Sequence, residues 1–345
     1  MTTIAITGAS GKLGGATLSA LLAHNLAPPS SIVALTSSSP GSPTWTALAS
    51  KGVQVRRATF DSPASFDEAL RGVAKFFLVS TPHIALDFGS DEEVPDGKGR
   101  EGHHRGAIDA AVRAGVQHIY YSSLAFAWDA AKKAPGSTSK AGVMRAHLRT
   151  EAYLARQVAD GKLSHVTILR EGLYNESWPL YLGYFDVGGA DADTDRTEVP
   201  LAADGPVSWT AIADLGVGSA LVLTAASAEW SGKTFYLSTR AAGARGLAGI
   251  AKLVGEARGK AVGIKTVGRK EHERYYVQRR GEKEGPAVRW WAGTYEALEA
   301  GECAVDDPTL ERLLERVGVK ATGVEECIRA MVAKGQAGSR IFGLH

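Results

Sequence analysis

Cysteine, net charge and long apolar runs are what this chain has little of. Its 345 residues include 2 cysteines, Cys303 and Cys327, far apart and without metal-ligand spacing. That pattern excludes a disulfide framework and fits packed thiols in a reducing, cytoplasmic compartment. No apolar stretch approaches the roughly 20 residues of a membrane span, so no membrane partner is expected. The N-terminus reads as a core strand, so no signal peptide is expected either. A net charge of +2 argues against a nucleic-acid partner. Even the basic-looking residues 269–283 are interleaved with Glu271, Glu273 and Glu282, as on a solvated helical face. There is no internal repeat and no separating linker, while an apolar fraction of 44% supplies a sizeable core.

What is present is concentrated in the first fifteen residues. Ile4, Ala5 and Ile6 read as a short buried strand, followed at once by Thr7, Gly8, Ala9, Ser10, Gly11, Lys12, Leu13 and Gly14. Leu18, Leu21 and Leu22 then recur at helical spacing. Strand, glycine turn and helix in that order form a dinucleotide cradle. Gly8 lets the chain leave the strand sharply, and Gly11 lets backbone N–H groups approach a pyrophosphate. Gly14 lets the helix pack close, with its positive end toward the phosphates.

Further along, apolar strands around residues 32–35, 53–55, 76–80, 116–122 and 166–169 alternate with helices. That rhythm implies right-handed crossovers and a parallel sheet. Residues 82–102 read as a long polar loop. Beyond Arg170 the alternation fails, and residues 171–206 are loop-rich, aromatic and acidic. Residues 210–226 read as an apolar helix and 233–237 as a further strand. Asp306, Asp307 and Pro308 look like a helix cap, and Thr322 with Glu325 like a capping box. The fold expected is α/β: a Rossmann-like, doubly wound parallel sheet with a smaller, mostly helical C-terminal lobe. Residues 1–170 and 207–240 form the nucleotide-binding body; residues 171–206 and 241–345 form the substrate lobe.

Strand ends then assign the cofactor contacts. The second strand ends in Thr36, Ser37 and Ser38, with no acid to hold a ribose diol. Hydroxyls plus Lys12 suit a 2′-phosphate, so NADP(H) is expected over NAD(H). Thr59, Phe60 and Asp61 end the third strand, where the adenine lies, and either Thr59 or Asp61 suits the base. Ser80, Thr81 and Pro82 end the fourth strand, and Ser122 and Ser123 the fifth, near the ribose and nicotinamide.

One helix carries an oddity. Met144, Leu148, Ala155 and Val158 read as its apolar stripe, and His147 and Glu151 lie inside that stripe. A histidine and a carboxylate facing a core must satisfy each other, another polar group or a ligand. Two readings fit: His147 as a proton donor oriented by Glu151, or a structural pair locking helix to sheet.

These motifs resemble the NmrA-like group of atypical short-chain dehydrogenases. The resemblance runs from the residue 7–14 turn through His104, Gly115, Tyr120, Leu124, His147, Glu151, Leu169, Tyr174 and Glu176. It continues through Thr210, Asp214, Gly232, Leu237, Asp306 and Leu310. It implies a Rossmann fold holding NADP(H), with hydride passing to a quinone or related enone beneath the C-terminal lobe. The group also includes tailoring reductases of fungal secondary metabolism and nitrogen-repression regulators. The Tyr-x-x-x-Lys pair of typical short-chain dehydrogenases is missing, and His147 and Glu151 stand in its place. Two departures are visible: no arginine follows the second strand, and residues 82–102 and 268–292 look inserted.

Tyr174 and His147 are therefore the candidate proton donors. Phe126, Trp128, Tyr174, Trp178 and Trp209 are candidate walls for an aromatic acceptor. The expected function is an NADPH-dependent oxidoreductase for quinones or aromatic and conjugated ketones. A non-catalytic dinucleotide sensor and a non-redox isomerase or lyase are the alternatives. Oligomeric state is not legible.

Overall fold

The computed structural model describes residues 2–188 and 193–335. Residues 189–192 and 336–345, which the sequence assigns to the lobe, lie outside the described residues. The strands are β1 (Ile4–Ile6), β2 (Ile32–Thr36), β3 (Gln54–Arg57), β4 (Lys75–Val79), β5 (His118–Leu124) and the short β6 (Trp128–Asp129) and β7 (Ala134–Pro135). They continue as β8 (His165–Glu171), β9 (Glu198–Leu201), β10 (Thr234–Leu237) and β11 (Gly263–Thr266). Helices in the first half are α1 (Lys12–Ala23), α2 (Pro43–Ala49), α3 (Ser65–Ala69), α4 (Arg100–Arg113) and α5 (Gly142–Ala159). Then come α6 (Trp178–Tyr181), α7 (Ile212–Thr224), α8 (Ser227–Trp230), α9 (Leu247–Arg258) and α10 (Arg269–Arg280). The last are α11 (Gly285–Glu299), α12 (Thr309–Glu315) and α13 (Val324–Ala333).

Seven strands form one sheet in the order β10-β8-β5-β4-β1-β2-β3. Every pairing in it is parallel. The order reverses between β1 and β4, which opens a crevice at the carboxyl ends of those strands. One face is covered by α1, α7 and α12, through Leu18, Leu21, Leu215, Leu310 and Leu314. The other is covered by α3, α4 and α5, through Phe66, Ile108, Ala111 and Leu154. Helices α1 and α7 approach so closely that a Cβ on Gly216 would lie 2.6 Å from the Ala16 carbonyl carbon.

A separate core, centred on Trp178, Phe185, Leu247, Tyr276 and Tyr295, builds the lobe. It is mostly helical, with a two-stranded parallel ladder of β9 and β11. Residues 171–206 read as loop in the sequence, and β9 comes from them. Its partner is more than sixty residues away, so no local pattern marks the pairing. Helix α12, expected in the lobe, buries Leu310, Leu313 and Leu314 against the sheet's core instead.

The Thr322 to Glu325 capping box does not form. Thr322 N–H donates to Asp214 Oδ2 at 2.6 Å, and Gly323 precedes the helix without a side-chain cap. Pro308 is the N-cap of α12, and Asp307 just before it accepts the Thr309 N–H at 2.9 Å. The polar loop after β4 ends sooner than expected, because α4 starts at Arg100. No helix among the described residues is long and apolar enough to cross a membrane.

Candidate active site at the carboxyl edge of the sheet

The turn after β1 is shaped for close approach. Gly8 has φ +59°, and Gly11 N–H returns to Gly8 O at 2.8 Å. A side chain on Gly14 would run into the carbonyl oxygens of Thr7 and Gly8, and one on Gly11 would sit 3.1 Å from Gly8 O. The close approach at Gly14 is thus to the turn's own carbonyls. Thr7 locks the turn to the neighbouring strand: Val79 N–H donates to its hydroxyl oxygen at 2.7 Å. Gly8, Ser10, Gly11 and Lys12 are exposed, while Leu13 anchors the helix in the core. No acid occupies the first turn of α1, so its free N–H groups face the crevice without a competing carboxylate.

Beside this turn, Thr36 is buried and its hydroxyl accepts the Ser38 N–H at 3.2 Å. Ser37 is exposed, and its carbonyl accepts from Arg57 Nε at 3.3 Å. Arg57 pairs with Thr36 across the β2–β3 ladder. An arginine therefore does stand at the end of β2, delivered by β3. Lys12 leans the other way. Burial pushes the Glu176 carboxyl up, and the Lys12 ammonium partly offsets this. Glu176 in turn accepts the Ile212 N–H at the start of α7. Thr59 and Asp61 are joined, Thr59 Oγ1 donating to Asp61 Oδ2 at 3.3 Å, and Phe60 packs on the sheet's core.

The buried residues of α5 are Val143, Met144, Ala146, His147, Thr150, Leu154 and Gln157, so Met144 of the expected stripe does face in. Ala155 and Val158 of the expected stripe are exposed. His147 is inside, 4% exposed, but it does not pair with Glu151. Glu151 grips Arg170 of β8 with both oxygens, at 3.0 and 2.7 Å, and accepts from Ser123 Oγ at 2.6 Å. Arg170 spends its remaining donors on Gly136 O and Tyr236 Oη. The Glu151 carboxylate is thus committed to an arginine that the helix pattern alone does not reveal.

His147 belongs to a different network. Thr81 N–H donates to His104 Nε2 at 3.1 Å, so His104 carries its proton on Nδ1. That N–H faces Thr150 Oγ1 at 2.8 Å, whose own hydrogen goes to Ala146 O. Tyr121 Oη lies 3.3 Å from His104 Nδ1 and 3.0 Å from His147 Nδ1. With the first N–H already a donor, the tyrosine hydroxyl donates to His147, whose proton then sits on Nε2. Burial holds both imidazoles well below their ordinary range, with the Arg100 charge adding to the effect. They are neutral rings. Arg100 itself is fixed by Asp87, by Ser80 Oγ and by Val143 O.

On the other side of β5, Glu171 ends β8 and is 1% exposed. Burial pushes its carboxyl well above the usual range, which favours the protonated form. Tyr174 Oη approaches its Oε2 at 3.3 Å, while Oε1 is buried without a partner among the described residues. Tyr174 is half-buried, and burial pushes its phenol up, so it stays protonated. Ser122 and Ser123 are buried between the two networks, and Pro82 follows the buried Thr81. Phe126, Trp128, Trp178 and Trp209 are all buried in the lobe core, and Trp209 Nε1 donates to Arg245 O at 2.9 Å. Only Tyr174 of the five expected aromatics is partly open.

Two outcomes are expected. Glu151→Ala strands the Arg170 guanidinium, whose side chain is 3% exposed. Urea unfolding is expected to show a loss of about 3–5 kcal/mol, the cost of breaking one side of a buried pair. His147, neutral in the folded protein, takes up a proton in the unfolded chain below its ordinary value of 6.5. Folding stability therefore falls as pH drops below that value, by about 1.4 kcal/mol per pH unit for this group. His147→Gln is expected to remove that part of the slope in denaturation measured at neutral pH and at about pH 5.5.

The model of the NmrA-like family matches residues 1–271 of this chain. The chain is 31% identical over 220 residues to an NmrA-like family domain-containing oxidoreductase, flvB, of Aspergillus flavus, a match over 63% of this chain and 60% of that protein. It is 30% identical over 236 residues to quinone oxidoreductase 2 of Escherichia coli, over 68% of each. The matches thus span about two thirds or less of these two relatives. Among solved structures, the triphenylmethane reductase of Citrobacter sp. superposes with a TM-score of 0.73 at 26% identity, over 96% of this chain and 99% of that one. The NADPH complex of the Escherichia coli NADPH-dependent quinone oxidoreductase gives 0.71 at 26%, over 95% and 99%. With a turn built for phosphates at the head of its sheet and a family match over more than three quarters of its length, this chain belongs to the NmrA-like family.

Proposed function

We propose that this chain is an NADPH-dependent oxidoreductase that reduces a quinone or an aromatic or conjugated ketone held beneath the lobe. One observation carries the reading. The open glycine turn and the neutral Glu171–Tyr174 pair lie on the same carboxyl edge of one parallel sheet, on either side of the strand-order reversal. The likeness to a quinone oxidoreductase and a triphenylmethane reductase supports it.

The residues at the turn fit the cofactor: the space that a side chain would take at Gly8 is open, with nothing within 4 Å of it. When bound, NADPH supplies a hydride from its nicotinamide ring. The first-turn N–H groups of α1 and the Lys12 ammonium hold the pyrophosphate. Arg57, with Ser37 and Ser38, holds the 2′-phosphate at the end of β2. Thr59 and Asp61 border the adenine, and Thr81, Ser122 and Ser123 border the ribose and nicotinamide.

Once the acceptor oxygen gains charge it needs a proton. Tyr174 Oη donates it, and Glu171, whose protonated form burial favours, replaces it from behind. His147 is unsuited to delivering a proton, because burial opposes its imidazolium form. Its neutral ring instead offers Nε2–H as a hydrogen-bond donor, and Tyr121 holds that tautomer. Glu151 acts one step removed, by keeping α5 in register over β8.

Loss of NADPH absorbance with a panel of quinones and aryl ketones is expected to show turnover, and a flat response across the whole panel would overturn the assignment. Tyr174→Phe is expected to lower kcat by about 100-fold with NADPH affinity retained. A second outcome concerns cofactor choice. Arg57→Ala is expected to weaken NADPH binding by about tenfold while leaving NADH unchanged, as titration calorimetry would report. Equal weakening of both cofactors would place Arg57 outside the phosphate pocket.

A further inference from the structure

We propose that Asp61, His83 and His103 form a binding site for a divalent transition metal of the zinc class, on the α4 side of the crevice. The three side chains come from three separate segments: the loop after β3, the loop after β4 and the second turn of α4. One ligand atom from each lies within 4.8 Å of the other two. Asp61 Oδ1 and His83 Nδ1 are 3.4 Å apart. That is the ligand-to-ligand edge of a tetrahedral site with bonds of about 2.0–2.1 Å. Closing the two remaining edges takes small rotations of Asp61 and His83, whose side chains are 68% and 38% exposed.

Two features separate this cluster from an ordinary surface ion pair. The first is His103 Nδ1, a buried nitrogen with no hydrogen-bond partner among the described residues. Its ring stacks flat on Phe60, with centroids 6.1 Å apart and planes 3° apart, and meets the His83 ring edge-on at 5.0 Å. No polar contact at Nδ1 explains how that edge of the ring is oriented. The second is the support behind the carboxylate. Thr59 Oγ1 donates to Asp61 Oδ2 at 3.3 Å, which turns the other oxygen toward the histidines. A hydrogen bond to the non-ligating oxygen, beside an apolar wall, is the outer shell that metal carboxylates use. Two imidazoles and one carboxylate suit zinc and its neighbours rather than calcium or magnesium, and three protein ligands leave a position for water.

This inference does not depend on the redox reading, and its test needs no turnover. The full chain, stripped with chelator and desalted, would be titrated with Zn2+ against a chromophoric competitor. Co2+ would then serve as a visible probe of coordination. The expected result is one ion per chain and the d–d absorption of low-coordinate Co2+. His83→Ala and His103→Phe are each expected to weaken Zn2+ binding by more than about tenfold, the size that even outer-shell losses produce. Phenylalanine at 103 keeps the ring stacked on Phe60, so loss of metal in that variant reports the missing nitrogen rather than unfolding. A metal-free melting temperature matching the parent checks this. Absence of stoichiometric Zn2+ binding, or affinity unchanged in both variants, would overturn the site.

Discussion

The bidentate grip of Glu151 on Arg170 is the contact on which the α5 side of the crevice depends. It joins the middle of α5 to the last turn of β8, and Arg170 extends the link to Tyr236 of β10 and to Gly136 beyond β7. Ser123 of β5 completes the ring of donors around the same carboxylate. Five segments are thereby pinned around one ion pair. Because the pair is nearly dry, its geometry has to be satisfied as a unit: a charge left alone there costs far more than the intact pair contributes. The register of α5 follows from it, and with that register come His147 against Tyr121 and Thr150 against His104.

Burial, rather than neighbouring charge, then sets the protonation of the groups around that frame. His104 and His147 are kept neutral, and Glu171 is kept as an acid, for the same reason: an ionised form has no water to solvate it. The consequence is a division of labour across β5. On the α5 side stands a chain of neutral donors and acceptors that orients rings and delivers little charge. On the far side stands a carboxyl whose ionisation burial opposes, next to a phenol. Members of this fold that lack a Tyr-x-x-x-Lys pair must find their proton elsewhere, and a buried acid feeding a tyrosine is a physically economical answer.

Much of the fold was legible in the sequence because the signals are local. The glycine turn, the strand–helix alternation and the break after Arg170 each depend on a handful of adjacent residues. The carboxyl-edge positions followed from them, since every strand of a parallel sheet ends on the same side. What misled was periodicity where polar and apolar residues share a face. The α5 stripe was drawn through Ala155 and Val158, which face solvent, because the buried face includes His147, Thr150 and Gln157. The Thr322 capping box failed for a similar reason. A distant carboxylate, Asp214, claims the threonine's N–H before the helix can use its side chain. The aromatic residues after β5 and β8 looked like a substrate wall, yet four of the five fill the lobe core, where a large ring buries the most surface.

The sequence by itself determined the architecture of the nucleotide-binding body, the place of the phosphate turn and the family to which the chain belongs. These rest on backbone conformation and short-range hydrophobic period, which adjacent residues dictate. Only the tertiary structure decided which partner each buried charge takes, that an arginine on β3 serves the end of β2, and which residues from separate loops meet beside α4. Those outcomes depend on segments tens of residues apart arriving at one point, and no spacing along the chain encodes such an encounter.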